Sequence, residues 1–119
     1  MDSEGKLRSQ AELAAEILAA RAKEKRRVVA TAESLTGGLV SELITGVAGS
    51  SAWFDRGFVT YQPEAKVEMI DVPAEMIRTE GVVSEPVAEA MARGALASSK
   101  ADLSVALTGV AGPSGGTPE

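Results

Sequence analysis

Residues 27–44 read RVVATAESLTGGLVSELI, and the order of these side chains predicts a strand, a tight turn and a helix. The β-branched run at 27–32 is typical of a buried strand. Apolar residues recur at helical spacing over 39–44, and Gly46 lies where that helix should end. The residues between them, Glu33-Ser34-Leu35-Thr36-Gly37-Gly38, therefore form a predicted turn at the carboxyl end of the strand.

The same alternation of strands and helices continues through the chain. A helical pattern extends from Ser9 to about Lys25, after a tail that we expect to be flexible over residues 1–8. Further elements are predicted as strands at 53–61 and 102–108 and as helices at 63–70, 73–78 and 84–98. This order predicts a single domain over residues 1–119 with fold class α/β, a layered α/β/α sandwich with helices on both faces of one sheet.

Three finer expectations concern how these elements pack. The first helix has an Ala-rich apolar face, with Leu13 and Ile17 beside it, that should pack closely on a flat surface. Strict alternation along the aromatic strand places Trp53 and Phe54 on opposite faces of the sheet. The last strand is predicted to be buried, and Ser84 is predicted to be the N-cap of the helix that precedes it.

The composition removes whole classes of chemistry. The 119 residues include no Cys and no His, which excludes disulfides, thiolate nucleophiles, Ser-His-Asp triads and zinc sites with Cys or His ligands. The net charge is −5, with +2 over residues 1–27 and −7 over residues 28–119, so binding to nucleic acid is disfavoured. Without an apolar run long enough for a membrane span or a signal peptide, the expected location is the cytoplasm.

Ser34 and Lys66 are the candidate catalytic residues. Ser34 follows a predicted strand at the start of a helix, where ligands of α/β proteins bind and where unpaired backbone N–H groups could receive an oxyanion. Ser34 could equally be a helix cap. Lys66 lies early in the helix that Pro63 begins, and burial could lower its pKa enough for it to act as a base. The alternative is an ordinary exposed lysine.

Two further regions could contact a ligand. Tyr61 could hydrogen-bond or stack on a substrate, or it could be a core residue with its hydroxyl at the edge. The Gly-rich segment 109–116 follows a predicted strand, as a phosphate-binding loop does, but it lacks the Walker A pattern and also resembles a flexible connector.

Several of these motifs together resemble one known family. The stretch Thr31-Ala32-Glu33-Ser34-Leu35-Thr36-Gly37-Gly38 resembles the TAES-x-TGG signature of the CinA C-terminal domain family. Matches in the same order follow at 48–51, 57–61, 64–66, 81, 83–87, 108–113 and 115–116. The family normally continues with another strand and a final helix, so the resemblance implies a chain that is shortened at its C-terminus.

The family includes nicotinamide-nucleotide amidohydrolases, which gives the resemblance a functional meaning. It implies hydrolysis of nicotinamide mononucleotide to nicotinic acid mononucleotide and ammonia, a step of NAD recycling, with Ser34 as nucleophile, Lys66 as base and neither metal nor cofactor. The residues that we expect around the substrate are Thr36, Gly37, Gly38, Tyr61, Thr108, Gly112 and Gly115. Among them, backbone N–H groups near Gly37 and Gly38 should face the tetrahedral intermediate, and the loop with Gly112 and Gly115 should approach the phosphate.

A second class of function stays open beside the enzyme. The chain could be a non-catalytic nucleotide-binding or interaction domain of a competence/damage-inducible protein. In both cases the expected partner is a small-molecule nucleotide rather than nucleic acid or a membrane. A missing strand would also leave a free sheet edge at which two copies could pair as a homo-oligomer.

Overall fold

The computed structural model describes residues 3–110 of the chain. Three parallel strands form one sheet in the order β2-β1-β3, with β1 at Val29–Glu33, β2 at Phe54–Val59 and β3 at Leu103–Leu107. Five helices surround the sheet: α1 at Ser3–Lys25, α2 at Leu39–Thr45, α3 at Pro63–Ile70, α4 at Ala74–Glu80 and α5 at Glu85–Ala97. A short 3-10 turn at Ser50–Ala52 precedes β2.

The central strand β1 separates two apolar cores. One core joins α1, α2 and the start of β2, and Val29 contributes to it from β1. The other joins α3, α5 and the segment between α3 and α4, and Ala32 contributes to it from β1. Since Val29 and Ala32 point to opposite faces, helices cover both sides of β1 and the predicted α/β/α layering is confirmed.

Most element boundaries agree with the sequence prediction. Helix α3 begins at Pro63 and ends at Ile70, as predicted. All five residues of β1 are buried, as its continuous apolar and β-branched character predicts. The hydroxyl of Ser84 accepts a hydrogen bond from the backbone N–H of Val87 at 3.3 Å, so the predicted N-cap of α5 is confirmed.

Helix α1 differs from the prediction in its start and in its buried face. It begins at Ser3, so residues 3–8 are helical where we expected a flexible tail. The Arg8 guanidinium donates to the carboxylate of Glu42 on α2 at 2.6 Å, which holds this end of the helix against the domain. The buried positions are all alanines, Ala15, Ala19 and Ala22, whereas the bulkier apolar residues Leu13 and Ile17 are more than half exposed. Alanine lets α1 lie close to its neighbours, which the sequence pattern did predict.

Strand β2 contains a bulge that strict alternation does not anticipate. Val29 pairs with Phe54, but the next residue of β1, Ala30, pairs with Arg56, so Asp55 is an extra residue. Trp53 precedes the strand and ends the 3-10 turn with φ of −137° and ψ of −9°, so it does not alternate with Phe54, and both side chains contact the core shared with α1 and α2. The prediction that they occupy opposite faces is therefore wrong.

Strand β3 is an edge strand within the part of the chain that the structure describes. It pairs with β1 on one side, and its face towards α5 is occupied by Ser104 and Ala106. Leu103 and Val105 point to the other face and are 43% and 38% exposed. The prediction that this strand is fully buried is therefore wrong, because neither α1 nor α2 extends over it.

Candidate active site

The predicted nucleophile and the predicted base lie together at the carboxyl end of β1. Ser34 directly follows the last residue of β1 and is 6% exposed. Lys66 reaches it from the first half of α3, and its Nζ donates a hydrogen bond to Ser34 Oγ at 3.1 Å. The same Nζ donates to the backbone carbonyl of Thr60 at 2.7 Å. Two residues that are 32 positions apart in sequence thus form one hydrogen-bonded pair.

The surroundings of Lys66 favour its neutral form. Its side chain is fully buried, and no carboxylate lies within ion-pair distance of its Nζ among residues 3–110. Burial lowers the pKa of Lys66 from its ordinary value of 10.5, because the charged ammonium loses its hydration. A larger fraction of this amine is therefore neutral, and available to accept a proton, at physiological pH than in an exposed lysine.

Glu33 holds the turn that carries Ser34. One oxygen of its fully buried carboxylate accepts hydrogen bonds from Thr36 Oγ1 and the backbone N–H of Val40, both at 2.8 Å. The other accepts from the backbone N–H of Ser41 at 2.9 Å and from its hydroxyl at 2.5 Å. The carboxylate thus caps the first turn of α2 and fixes its position relative to β1.

The charge state of Glu33 follows from these contacts. Burial by itself raises the pKa of Glu33, but the hydrogen bonds from Ser41, Thr36 and the backbone of Val40 outweigh it and hold the pKa below the ordinary value of 4.5. Sequence analysis assigned no role to Glu33. The available signal was an acidic residue between a buried strand and a helix start, where a carboxylate stabilises unpaired N–H groups.

The backbone between Ser34 and α2 leaves several N–H groups unpaired. Gly37 and Gly38 have φ of 63° and 107°, which glycine adopts readily, and they turn the chain sharply into α2. The N–H of Gly37 donates to the carbonyl of Ser34 at 3.1 Å, so it is not available to a ligand. Among the residues that the structure describes, the N–H groups of Leu35, Thr36 and Gly38 have no acceptor. These groups are the candidate donors to an oxyanion next to Ser34.

An open cavity of about 260 Å³ lies over the pair. Tyr61 and Thr108 line it together with Ser34 and Lys66, so the structure brings these four predicted residues to one place. Tyr61 is 62% exposed, which leaves its ring free to contact a ligand rather than the core. The Thr108 hydroxyl donates to the carbonyl of Val82 at 3.1 Å and so ties β3 to the loop before α5.

The other predicted substrate contacts are placed differently. Thr36, Gly37 and Gly38 do not line the cavity, and the hydroxyl of Thr36 is directed to Glu33. Gly112 and Gly115 lie outside the described residues. Gly109 and Val110, which begin the predicted ligand-binding segment 109–116, also line the cavity. Four further wall residues were not predicted as ligand contacts: Leu35, Pro63, Val82 and Val83. All four are apolar, and all but Leu35, which follows Ser34 directly, are brought near Ser34 by the fold.

Two further features of the described residues concern metal binding and membrane spans. Within residues 3–110, no cluster of three or more Asp or Glu side chains is arranged to bind a metal ion. No helix in the same range has both the length and the apolar character that a membrane span requires.

Comparisons with known proteins point to one family. The sequence model of the family described as the CinA C-terminal domain matches residues 11–119 of this chain. Among curated proteins, nicotinamide-nucleotide amidohydrolase PncC of Escherichia coli is 55% identical over 97 residues, which are 82% of this chain and 59% of that protein. A competence-damage inducible protein of Symbiobacterium thermophilum is 58% identical over 96 residues, which are 81% of this chain and 22% of that protein.

A solved structure gives the same result. The crystal structure of the competence/damage inducible protein CihA from Agrobacterium tumefaciens superposes with a TM-score of 0.87 at 46% identity, and the match covers 91% of this chain and 66% of that one. This chain therefore spans somewhat less than two thirds of the PncC relative and about a fifth of the longer one.

Proposed function

Because this chain belongs to the CinA C-terminal domain family, we propose that it is an amidohydrolase that converts nicotinamide mononucleotide to nicotinic acid mononucleotide and ammonia. The observation that carries the proposal is the 3.1 Å contact between Ser34 Oγ and the buried, carboxylate-free amine of Lys66. The name of the E. coli relative supports the choice of a nucleotide amide as substrate.

In the first half-reaction Ser34 acts as the nucleophile. Neutral Lys66 accepts the proton of the Ser34 hydroxyl, and Oγ attacks the carboxamide carbon of the substrate. The carbonyl oxygen becomes an oxyanion, which the unpaired N–H group of Leu35 in the cavity wall would stabilise. One such donor is worth about 2.7–4 kcal/mol in other enzymes. The C–N bond then breaks, the Lys66 ammonium gives its proton to the departing nitrogen, and ammonia leaves an ester on Ser34.

In the second half-reaction water replaces ammonia. Lys66 is neutral again and accepts a proton from a water molecule that attacks the ester carbon. The C–O bond to Ser34 breaks, and Lys66 returns the proton to Ser34 Oγ. Nicotinic acid mononucleotide leaves, and its carboxylic acid group releases its proton to water. In this scheme, Thr60 has a positioning role, because its carbonyl accepts one N–H of the amine and so directs the rest of Nζ towards Ser34.

We assign supporting roles to Tyr61, Thr108 and Thr36. Tyr61, whose side chain is exposed in the cavity wall, is suited to contact the pyridine ring. Thr108 holds Val82, another residue of the cavity wall, through its hydrogen bond. Thr36 acts indirectly, because its hydroxyl is engaged by Glu33.

The proposal is tested by ammonia release from nicotinamide mononucleotide. We expect Ser34→Ala and Lys66→Ala each to reduce kcat/KM by about 10³-fold or more, because each removes one member of the nucleophile–base pair. Ser51→Ala and Lys100→Ala are matched controls on exposed residues outside the cavity, and they should keep the activity of the unchanged chain. Normal turnover by Ser34→Ala would contradict the assignment of the nucleophile.

Binding without turnover is the second candidate function. It is favoured by one observation, namely that the chain spans 59% of the length of the PncC relative. Calorimetric binding of nicotinamide mononucleotide by the unchanged chain, without ammonia release either by it or by a chain of the relative's full length, would support this function and contradict the enzymatic one.

A further inference from the structure

A basic cluster lies at the opposite end of β1 from Ser34. Helix α1 ends with the backbone N–H of Arg26 bonded to the carbonyl of Lys23 at 3.3 Å and that of Arg27 bonded to Ala22 at 2.9 Å. This is the Schellman arrangement, in which the residue at the position of Arg26 is most often glycine. Arg26 has a φ of 55°, so the chain carries a cationic side chain where its backbone conformation is disfavoured.

These cations surround a cavity of about 270 Å³ between the end of α1 and the start of β2. Lys23, Arg26 and Arg27 contribute to its walls together with Trp53. The Nζ of Lys23 lies 3.4 Å from the position that a Cβ on Gly49 would take, so this side chain crosses to the turn that precedes β2. All three cations thus come from the end of α1 and the residues just after it, and Lys23 reaches towards the turn before β2.

The positive charge of the cluster is only weakly neutralised. Lys23 and Arg26 form no ion pair within 4.0 Å in the described part of the chain. Arg27 has a long contact of 3.9 Å with one oxygen of Asp102, whose other oxygen accepts from the backbone N–H of Val28 at 3.0 Å. This concentration of cations stands out in a chain with a net charge of −5.

The tryptophan in the cavity wall supplies an independent observation. Trp53 is 1% exposed, and its Nε1 is the one buried side-chain polar atom without a hydrogen-bond partner in the described residues. Buried donors are almost always satisfied, so an unpaired indole N–H calls for an acceptor that residues 3–110 do not provide. Favourable interaction with the helix dipole accounts for cations at the end of α1, but it does not account for this donor.

We propose that this cavity is a binding site for a small phosphate-class anion, held by Lys23, Arg26 and Arg27 and accepting a hydrogen bond from Trp53 Nε1. Guanidinium groups match the oxygens of phosphate in geometry and charge. The volume lies just below the 300–1,000 Å³ typical of pockets for larger ligands, which favours inorganic phosphate or pyrophosphate. Six residue steps separate Val28 from Ser34, roughly 20 Å of extended chain, so the site is independent of the proposed active site.

The experiment follows the indole N–H of Trp53 by NMR. The chain contains a single tryptophan, so its ¹⁵N–¹H spectrum has one indole resonance. Inorganic phosphate and pyrophosphate are titrated separately at constant ionic strength, with chloride as the reference anion. We expect a saturable downfield shift of this resonance, because phosphate would give the indole N–H a hydrogen-bond acceptor that it otherwise lacks. The dissociation constant should be on the order of 1 mM.

Matched variants separate the site from general electrostatics. Arg26→Gln should weaken phosphate binding roughly tenfold, whereas Lys25→Gln, which removes the same charge from α1 outside the cavity, should weaken it less than twofold. Arg26→Gly should also lose binding while raising the melting temperature by roughly 3–6 °C, because glycine adopts the positive φ without strain. Ser34→Ala should bind phosphate normally, which keeps this result separate from the proposed activity.

Three results would overturn the proposal. The first is an indole resonance that shifts equally with chloride and with phosphate, or that shifts with neither anion. The second is an equal loss of affinity in Lys25→Gln and Arg26→Gln. The third is a response to oligonucleotides or anionic vesicles without a response to phosphate or pyrophosphate, which would identify a polyanion surface instead.

Discussion

At the scale of single residues, Lys66 is the proposed catalytic base, and the burial of its amine lowers the stability of the folded chain. Its lowered pKa means that the folded chain binds fewer protons than the unfolded chain between the folded pKa and 10.5. Stability therefore rises with pH across that window, and the full cost of burying the amine is present below it. Buried amines of this kind are expected to be retained for function rather than for stability.

We therefore expect Lys66→Met to stabilise the chain at pH 7 by about 1–2 kcal/mol while it abolishes hydrolysis. The difference from the unchanged chain should shrink as the pH approaches 10.5. Urea unfolding at several pH values measures it, and Lys100→Met, on an exposed residue, should show no such trend. If Lys66→Met is less stable than the unchanged chain at pH 7, the buried amine stabilises the fold, which would contradict this expectation.

The same pKa predicts the pH dependence of hydrolysis. Only the neutral amine can accept the Ser34 proton, so kcat/KM should rise with pH through the folded pKa of Lys66 and then level off. Because burial lowers that pKa, the rise should occur below 10.5. A pH–rate profile from pH 5 to 10 measures it, and a flat profile would contradict the role of Lys66 as base.

Glu33 gives the converse prediction at low pH. Its pKa is lower in the folded chain, so the stabilisation from the carboxylate is present above 4.5 and is lost as the pH falls through the folded pKa. Glu33→Gln places an amide N–H₂ against hydrogen-bond donors and should cost about 2–3 kcal/mol at pH 7. Glu42→Gln, which breaks only the exposed pair with Arg8, should cost less than about 1 kcal/mol. Equal effects in the two variants would contradict the assigned role of Glu33.

Local sequence makes Ser34 and Lys66 candidates, but it leaves a helix cap and an exposed lysine open as alternatives. Only the resemblance to the family implies that the two residues act together as nucleophile and base. The burial of Lys66 and its bond to the Thr60 carbonyl depend on how α3 packs against β1 and β2. Val82 and Val83 carry no chemical signal of their own, so only the fold places them in the cavity.

At the scale of elements, α5 and the end of α3 approach closely at a glycine. A Cβ on Gly94 would lie 1.9 Å from the carbonyl oxygen of Ile70, which real structures do not tolerate. We expect Gly94→Ala to destabilise the chain by about 2–4 kcal/mol, although alanine favours helix formation by about 1 kcal/mol. Gly46→Ala is the matched control, because its Cβ would make ordinary contacts at 3.4 Å and its φ is −69°. Thermal unfolding measures both, and similar melting temperatures would contradict the close contact.

The existence of the elements followed from periodicity, whereas their orientation did not. Trp53 is not extended and Asp55 forms a bulge, so the side chains of residues 53–56 do not alternate strictly. No glycine among these four residues marks the irregularity in the sequence. The buried side of α1 consists of alanines, which a search for the largest apolar residues passes over. Both errors arise because packing between elements, and not local propensity, decides which side chain is buried.

At the scale of the whole molecule, β3 presents a free edge beside exposed Leu103 and Val105 within the described chain. Such an edge favours pairing with a second copy. We expect concentration-dependent self-association in sedimentation velocity experiments, and Val105→Lys should weaken it at least roughly tenfold by placing a charge at the edge. Met69→Lys, on an exposed apolar residue of α3, should leave it unchanged. A single monomeric species at all concentrations would contradict this expectation.

Small residues at two packed contacts also limit which substitutions homologous sequences can accept. Ala30 and Ala32 are fully buried in the central strand, and Gly94 on α5 lies against the backbone of Ile70 at the end of α3. A larger residue at 30 or 32 would push the sheet and its covering helices apart, and one at 94 would push α5 away from α3. We therefore expect divergence among homologues to accumulate at exposed sites such as Leu13 and Ile17, while these three positions accept almost no replacement.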